Sequence, residues 1–298
     1  MTASQESRLE RLFLSRRVQY VLIAAAILGT IIGLDTLRLH LMLDPLVDVH
    51  AYYDAGARLN AGLPLYVQSA TTDDPSFYRY PPLLAIIFRP LAMLPFDQAA
   101  LIWEIGLIVA FALTIVRLGV RRRWTWLMLG WLAAPIAWSL AVGQAQVLVT
   151  FFLTIGSPWA VAFATNLKLL PVLVAIYWVG RRDLRSIGLL AAWLAGIAAF
   201  CFILEPAGSI AFLSFTDLGQ VGHVQNLSPY AISPILWGAL VVALAVVAWR
   251  ASRTRYGWAA AVVFVVFSSP RLLMYQFSTL LAAGRQPDDY TAPDVAKR

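Results

Sequence analysis

Long apolar runs alternate with shorter polar intervals along the whole chain. The runs are continuous and lack the period-two alternation of half-buried strands, so the pattern predicts helices. A first run at 18–39 has the length of a membrane crossing. The longest polar interval, 46–82, follows it directly. Within that interval Val47, Ala51, Ala55 and Leu59 recur every four residues as an apolar stripe, which predicts a helix over 48–60. Asn60, Gly62 and Pro64 then form a stop signal. Asp48 and Tyr52, His50 and Asp54, and Asp54 and Arg58 each stand one turn apart. The expected object is an amphipathic helix at the membrane interface with its polar side to water. A solvated loop with a juxtamembrane helix is the plainer alternative.

The remaining runs are read by length. The run at 81–96 begins Pro-Pro, carries Arg89-Pro90 in its middle and falls short of the roughly 20 residues needed to cross, so it is expected to stay on the outer side. Runs at 99–118, 124–142, 187–204 and 232–249 are expected to cross. Gly143-Gln144-Ala145-Gln146 makes a polar outer turn. The interval 147–180 is long for one crossing and too short for three; Asn166, Lys168 and Pro171 interrupt it. One crossing plus a broken, partly re-entrant segment with Lys168 at its outer turn is predicted, its polar backbone covered by protein or a wet cavity. A second outer loop, 205–229, holds Glu205, Asp217, His223, Gln225 and Asn226. A short pair, 258–267 and 272–283, flanks the polar turn Ser268-Ser269-Pro270-Arg271. The fold class expected is an all-α polytopic membrane protein with about 8–10 transmembrane or half-membrane helices. It forms a single domain over 1–284, with an outer loop at 40–98 and a polar cytoplasmic tail at 285–298.

Composition agrees. Of 298 residues 60% are hydrophobic and 13% charged, with a mean hydropathy of +0.72, too apolar for a soluble domain. The basic pI near 9.8 does not imply nucleic acid, because the cations fall in clusters between apolar runs. Most of the 23 Lys and Arg residues lie at Arg8–Arg17, Arg117–Arg123, Arg181–Arg185, Arg250–Arg255 and Arg285–Arg298. The positive-inside rule places all five clusters, and both termini, in the cytoplasm, and the first run reads as a retained signal anchor. Arg38, Arg58, Arg79, Arg89, Lys168 and Arg271 are left on or near the outer side, with Asp44, Asp48, Asp54, Asp73, Asp74, Asp97, Glu205 and Asp217. Polar chemistry therefore gathers on one face. The single Cys201 forms no intrachain disulfide, and three histidines without carboxylates at ligand spacing give no metal constellation. Asp73-Asp74 reads as a flexible loop rather than a cation site. Lys168, an ionisable group within an apolar run, is a functional candidate whose plain alternative is snorkelling to the interface. The tyrosines of the first loop, Tyr52, Tyr53, Tyr78 and Tyr80, suit either sugar stacking or interfacial anchoring.

The order Asp48-x-His-x-Tyr-Tyr, Ala57-Arg-Leu-x-Ala-Gly-x-Pro-Leu-Tyr66 and Phe77-Tyr-Arg-Tyr-Pro-Pro-Leu83 resembles glycosyltransferase family 87. Trp103, Gly143-Gln144, Leu167-Lys168-x-x-Pro171, Asn226-Leu-Ser228 and Ser269-Pro-Arg271 with Tyr275 follow in the same order over roughly residues 40–280. One departure is Gln276, where acidic residues are common in that family. The resemblance implies a C-type membrane glycosyltransferase of the bacterial plasma membrane. It also implies a polyprenyl-phosphate-mannose donor, a glycolipid or glycan acceptor outside the cytoplasm, no cofactor, and an acidic base in the first outer loop. Asp48 occupies that place. His50, Tyr52, Asp54, Arg79, Tyr80, Gln144, Lys168, Asn226 and Arg271 are the expected substrate-binding residues. A phosphate leaving group departs without a general acid, so one base suffices, unlike the carboxylate pair of glycosidases. A lipid or sugar transporter, or a non-catalytic scaffold descended from the enzyme, are the competing readings.

Overall fold

A computed structural model describes residues 15–67, 78–214 and 224–285. Asp73, Asp74, Asp217, His223, Arg8, Arg11, Lys297 and Arg298 lie outside the described residues. All regular structure among the described residues is helical. Helix α1, Arg16–Leu43, is followed after a tight turn by α2, Val47–Asn60. After the loop come α3, Pro82–Leu91, and α4, Phe96–Leu118. Next are α5, Arg123–Trp131, α6, Ala133–Ala141, α7, Gln146–Ile155, and α8, Pro158–Leu167. A 3₁₀ turn, Leu170–Ala175, leads into α9, Ile176–Arg181. Helices α10, Leu184–Leu204, α11, Pro206–Ser214, α12, Pro234–Ala251, and α13, Gly257–Phe267, precede a 3₁₀ segment, Met274–Gly284.

Four helices, α1, α4, α10 and α12, are long and apolar enough to cross a membrane, and the pair α5–α6 makes a fifth if taken as one bent span. Their burial fits a lipid environment. In α4 the residues Ala99, Ala100, Trp103, Leu107, Ala110, Thr114 and Leu118 form one buried stripe, while Leu101, Ile102, Ile105, Ile108 and Val109 are exposed. In water that second face would be a large apolar patch. The ends are marked locally. Asp183 accepts from the Ser186 N–H at 3.0 Å and caps α10, and Ser233 accepts from the Leu236 N–H at 3.3 Å and caps α12.

The run 124–142 is not straight. Helices α5 and α6 meet at 66°, and the break precedes Pro135. Proline lacks the N–H that would bond residue 131, and its ring collides with that carbonyl, so the helix ends at Trp131 and restarts. Helix α1 lies along this bend because small residues let the backbones meet. A Cβ on Gly29 would stand 2.2 Å from the Gly130 oxygen, and one on Gly33 would stand 2.6 Å from the Ala133 Cβ. This is the small-residue packing of membrane helices, in which close backbone approach replaces the hydrophobic drive that lipid does not supply.

Helix α3 has ten residues, about 15 Å of rise, half the hydrocarbon thickness. Its face Leu83, Leu84, Ala85, Ile86 and Phe88 is buried against α2. Gly56 permits that contact, since a Cβ there would lie 2.7 Å from the Phe88 carbonyl. Helix α2 differs from the amphipathic surface helix expected. Val49, Ala51, Tyr52, Ala55, Gly56 and Leu59 are buried, a wider sector than the four-residue stripe, because α3 covers a second side. The interval 147–180 is interrupted at Lys168 as expected, and Gly156 breaks it a second time. Each piece, the continuous run Leu170–Arg181 included, is short of the roughly 20 residues a crossing needs. Helix α7 packs on the final 3₁₀ segment through Gln146, Thr150 and Thr279, which hydrogen bond to one another in the buried layer.

Candidate active site

The site is assembled at the junction of α2 with the end of α6. The N–H of Leu46 donates to the Ala141 carbonyl and that of Asp48 to the Val142 carbonyl, both at 3.1 Å. Leu46 takes a left-handed φ of 57° to make the turn. These bonds dock the first turn of α2, with Asp48, directly against the turn 143–145. That turn needs Gly143. Its φ is +70°, and a Cβ would stand 2.1 Å from Val49 Cγ2 and 2.8 Å from Glu104 Oε1. Trp103 Nε1 donates to the Gly143 carbonyl at 2.8 Å and pins it from α4.

Gln144 is fully buried behind the turn. Its Oε1 accepts from the Tyr52 hydroxyl at 2.6 Å and from the Tyr80 hydroxyl at 3.4 Å. Tyr80 is held by its own backbone, whose carbonyl accepts from the Tyr66 hydroxyl at 2.8 Å. Next to it, Tyr78 bridges the Pro81 carbonyl and the Ala85 N–H at 2.8 and 2.9 Å. Lys168 leaves the end of α8 in extended backbone, and its Nζ stands 5.5 Å from the Tyr80 ring centre and 4.6 Å from that of Tyr275. An ammonium over two ring faces is stabilised by their quadrupoles while it stays available to an anion. Tyr275 comes from the 3₁₀ segment and meets Trp138 edge-on at 5.9 Å.

Burial pushes the Asp48 carboxyl above the ordinary carboxylate range, and the charge of Asp44 pushes the same way. Lys168 and Gln144 oppose them and hold the proton off. The half-buried Asp48 thus lies within the field of Lys168, whose Nζ stands over the Tyr80 and Tyr275 rings. Arg79 adds positive potential at Tyr80 and Tyr275, and Arg271 at Tyr275. Such an arrangement suits a reaction in which one group takes a proton while negative charge develops close by.

The structure therefore brings together Asp48, Tyr80, Gln144 and Lys168, with Arg79 and Arg271 beside them. Others expected in the site have different neighbours. The exposed His50 stacks on Phe96 at 3.7 Å and 10°. Asp54 is exposed and forms no ion pair with Arg58, whose Nε donates to the Pro64 carbonyl at 2.8 Å. Asn226 is occupied by backbone, donating to Pro270 O and accepting from the N–H groups of Ser228 and Leu272, so it staples the second loop to the 270–272 turn. Tyr52 has no exposed surface and supports the site from behind instead of lining it. Gln276 receives the Leu273 N–H at 2.8 Å and steadies the start of the 3₁₀ segment.

Tyr275 entered the sequence reading as part of the last family motif, without a role of its own. One neighbour of the site, His40, went unread. His40 lies near the end of α1, with Nδ1 2.8 Å from Asp44 Oδ1 and its ring stacked on Trp138 at 4.4 Å. An ionisable residue inside an apolar run was the available signal for His40.

The family model described as glycosyltransferase family 87 matches residues 77–283. The chain belongs to glycosyltransferase family 87. Asp48 precedes the matched stretch, so its place in the site comes from the α2–α6 docking. Among curated relatives, the chain is 30% identical over 245 residues to the polyprenol-phosphate-mannose-dependent alpha-(1-2)-phosphatidylinositol pentamannoside mannosyltransferase of Mycolicibacterium smegmatis. That match covers 69% of this chain and 59% of the relative. It is 29% identical over 248 residues to the protein of the same description from Mycobacterium tuberculosis, covering 69% and 57%. It is 27% identical over 263 residues to a second M. smegmatis protein, a polyprenol-phosphate-mannose-dependent alpha-(1-2)-phosphatidylinositol mannoside mannosyltransferase, covering 71% and 59%. The chain thus spans less than two thirds of the length of these relatives. No solved structure matches it. The family's name and the all-helical, multi-pass architecture agree with the fold class and the resemblance drawn from the motifs.

Proposed function

We propose that this protein transfers mannose from a polyprenyl-phosphate donor to a glycolipid acceptor of the phosphatidylinositol mannoside kind, with Asp48 as the single general base. The observation that carries the reading is Asp48 set opposite Lys168 in one partly buried site walled by Tyr80 and Tyr275. The names of the relatives supply donor and acceptor class. The acceptor O–H gives its proton to Asp48 as its oxygen bonds to the anomeric carbon. The bond from that carbon to the phosphate oxygen breaks, and the electron pair leaves with polyprenyl phosphate. Lys168, with Arg79 and Arg271, stabilises the charge gathering on the phosphate. The sugar faces Tyr80 and Tyr275.

Purified protein in proteoliposomes, given radiolabelled polyprenyl-phosphate-mannose and a phosphatidylinositol mannoside, is expected to form a labelled glycolipid one sugar larger. Label that crosses the bilayer without transfer would instead identify a transporter, and no turnover with any lipid acceptor would identify a scaffold.

The site faces the extracytoplasmic side of a bacterial plasma membrane in this reading. Clusters at Arg121–Arg123, Arg181–Arg185 and Arg250–Arg255 remain in the cytoplasm, and residues 40–98 and 205–231 lie outside. The native Cys201 is buried, so it leaves a low background for thiol labelling. Ala61→Cys, at an exposed position after α2, is expected to react with an impermeant maleimide in intact cells. Arg121→Cys, exposed between α4 and α5, is expected to react only after lysis. The reverse pattern would invert the topology.

A further inference from the structure

Tyr52 cannot meet a substrate, yet its hydroxyl is bonded to the side chain that lies behind Asp48. Its ring is enclosed by edge contacts with Tyr80, Phe88 and Trp103 at 5.2, 5.5 and 5.9 Å. A phenol buried this deeply must place its proton on an acceptor. Its oxygen already accepts the Ala145 N–H at 3.3 Å. The proton is directed at the Gln144 side chain, 2.6 Å away, and of the two ends of an amide only the oxygen accepts. The Tyr80 hydroxyl reaches the same oxygen at 3.4 Å. Two phenols therefore decide which way the amide is turned. Its other end, Nε2, is buried and meets no acceptor at hydrogen-bond distance. Asp48 is docked through its own N–H to Val142, two residues before Gln144.

We infer that Tyr52 is a positioning residue, locking the Gln144 amide with its NH₂ group towards the first turn of α2, where it orients the Asp48 carboxylate. The kinetic consequence rests on the glycosyl-transfer reading; the electrostatic one does not. The groups acting on Asp48 are Lys168, from the end of α8, and Gln144, which both favour its anion, and Asp44, which opposes it. Asp44 is in turn paired with His40. The charge of Asp48 acts in turn on the hydroxyls of Tyr52, Tyr80 and Tyr275. Glu104 brings its Oε1 close to Gly143, 2.8 Å from where a Cβ there would stand. Gln144 is the neutral donor in this set, and its effect depends on its orientation.

Tyr52→Phe keeps the ring and its packing and removes only the proton that holds the amide. Asp48 ionisation can be followed as the infrared carboxylic C=O band that disappears in Asp48→Asn. Its midpoint is expected to rise by up to about one pH unit in Tyr52→Phe, the size of one lost polar interaction with the carboxylate. Gln144→Leu should raise it at least as far, and the double variant no further, because both changes remove the same interaction. The acid limb of kcat should move with the band while the donor KM stays within about twofold. An unmoved midpoint in both single variants, or shifts that add fully in the double variant, would overturn the inference. The infrared midpoint is read without turnover, so a protein that transfers no sugar still decides it. Gln144→Leu reads the same donor should Tyr52→Phe fail to fold.

Discussion

Asp48→Asn is expected to lower kcat for mannosyl transfer by about 10² to 10⁴-fold, the usual worth of a general base, with donor KM largely unchanged. The side chain keeps its shape and its place on the first turn of α2, and the docking bond from its N–H to Val142 is a backbone bond that the substitution leaves intact. What disappears is the acceptor for the proton. Asp54→Asn, on an exposed face without an ion pair, should lose less. Asp97→Asn, exposed at the start of α4, serves as the folding-matched control with parental turnover. The unmodified protein should show an acid limb in kcat above the ordinary carboxylate range, because burial raises the Asp48 carboxyl. Rate is lost as pH falls through that limb and the carboxylate takes a proton. Near-parental turnover by Asp48→Asn, at matched expression and melting temperature, would remove Asp48 from the mechanism.

Lys168→Met should cost about 10²-fold in kcat, comparable to removing one donor from a preorganised oxyanion site. The loss has two sources that one experiment separates. The ammonium stands over Tyr80 and Tyr275, in reach of a developing phosphate charge, and methionine fills much of its volume without the charge. The same ammonium also holds the proton off Asp48. Removing one member of a partly buried pair leaves the other uncompensated, and the carboxylate responds by binding a proton more readily. The acid limb of kcat is therefore expected to move to higher pH in Lys168→Met, with part of the lost rate recovered at alkaline pH. Lys168→Arg keeps the charge and should leave the limb near its parental position, though its planar fork cannot reproduce the point charge over two rings. Full retention of kcat in Lys168→Met would show that Lys168 only anchors at the interface. A loss without a moved limb would confine its role to the phosphate.

Much of this organisation is local and was legible. Apolar length marked α1, α4, α10 and α12, and Pro81-Pro82 with Arg89 marked a helix too short to cross. Asn166, Lys168 and Pro171 marked a break because each disfavours continuing an apolar helix on its own account. The candidate base could be placed at a helix start from sequence periodicity. What surrounds His50 and Asp54 was not legible, for the same reason that made the helix readable. A one-turn spacing says which residues share a helix side, not what lies across from that side, and here His50 meets Phe96 and Asp54 meets open surface.

Only the tertiary structure could decide which polar groups converge. Asp48, Gln144, Lys168 and Tyr275 come from four separated segments, and their meeting depends on the Leu46–Ala141 and Asp48–Val142 backbone bonds and on a turn that only Gly143 allows. The bend of 66° between α5 and α6 also had to be seen in the structure, since a proline in an apolar run can kink a span or leave it crossing. The packing faces were hidden for a more general reason. In a soluble protein apolar residues mark the buried side, but in a membrane both sides of a span are apolar, and lipid tails are as good a partner as leucine. The sequence by itself determined where helices run and where they stop. Which faces touch was decided by close backbone approach at Gly29, Gly33, Gly56 and Gly130, and by buried polar groups such as Gln144 and Tyr52 that had to find one another.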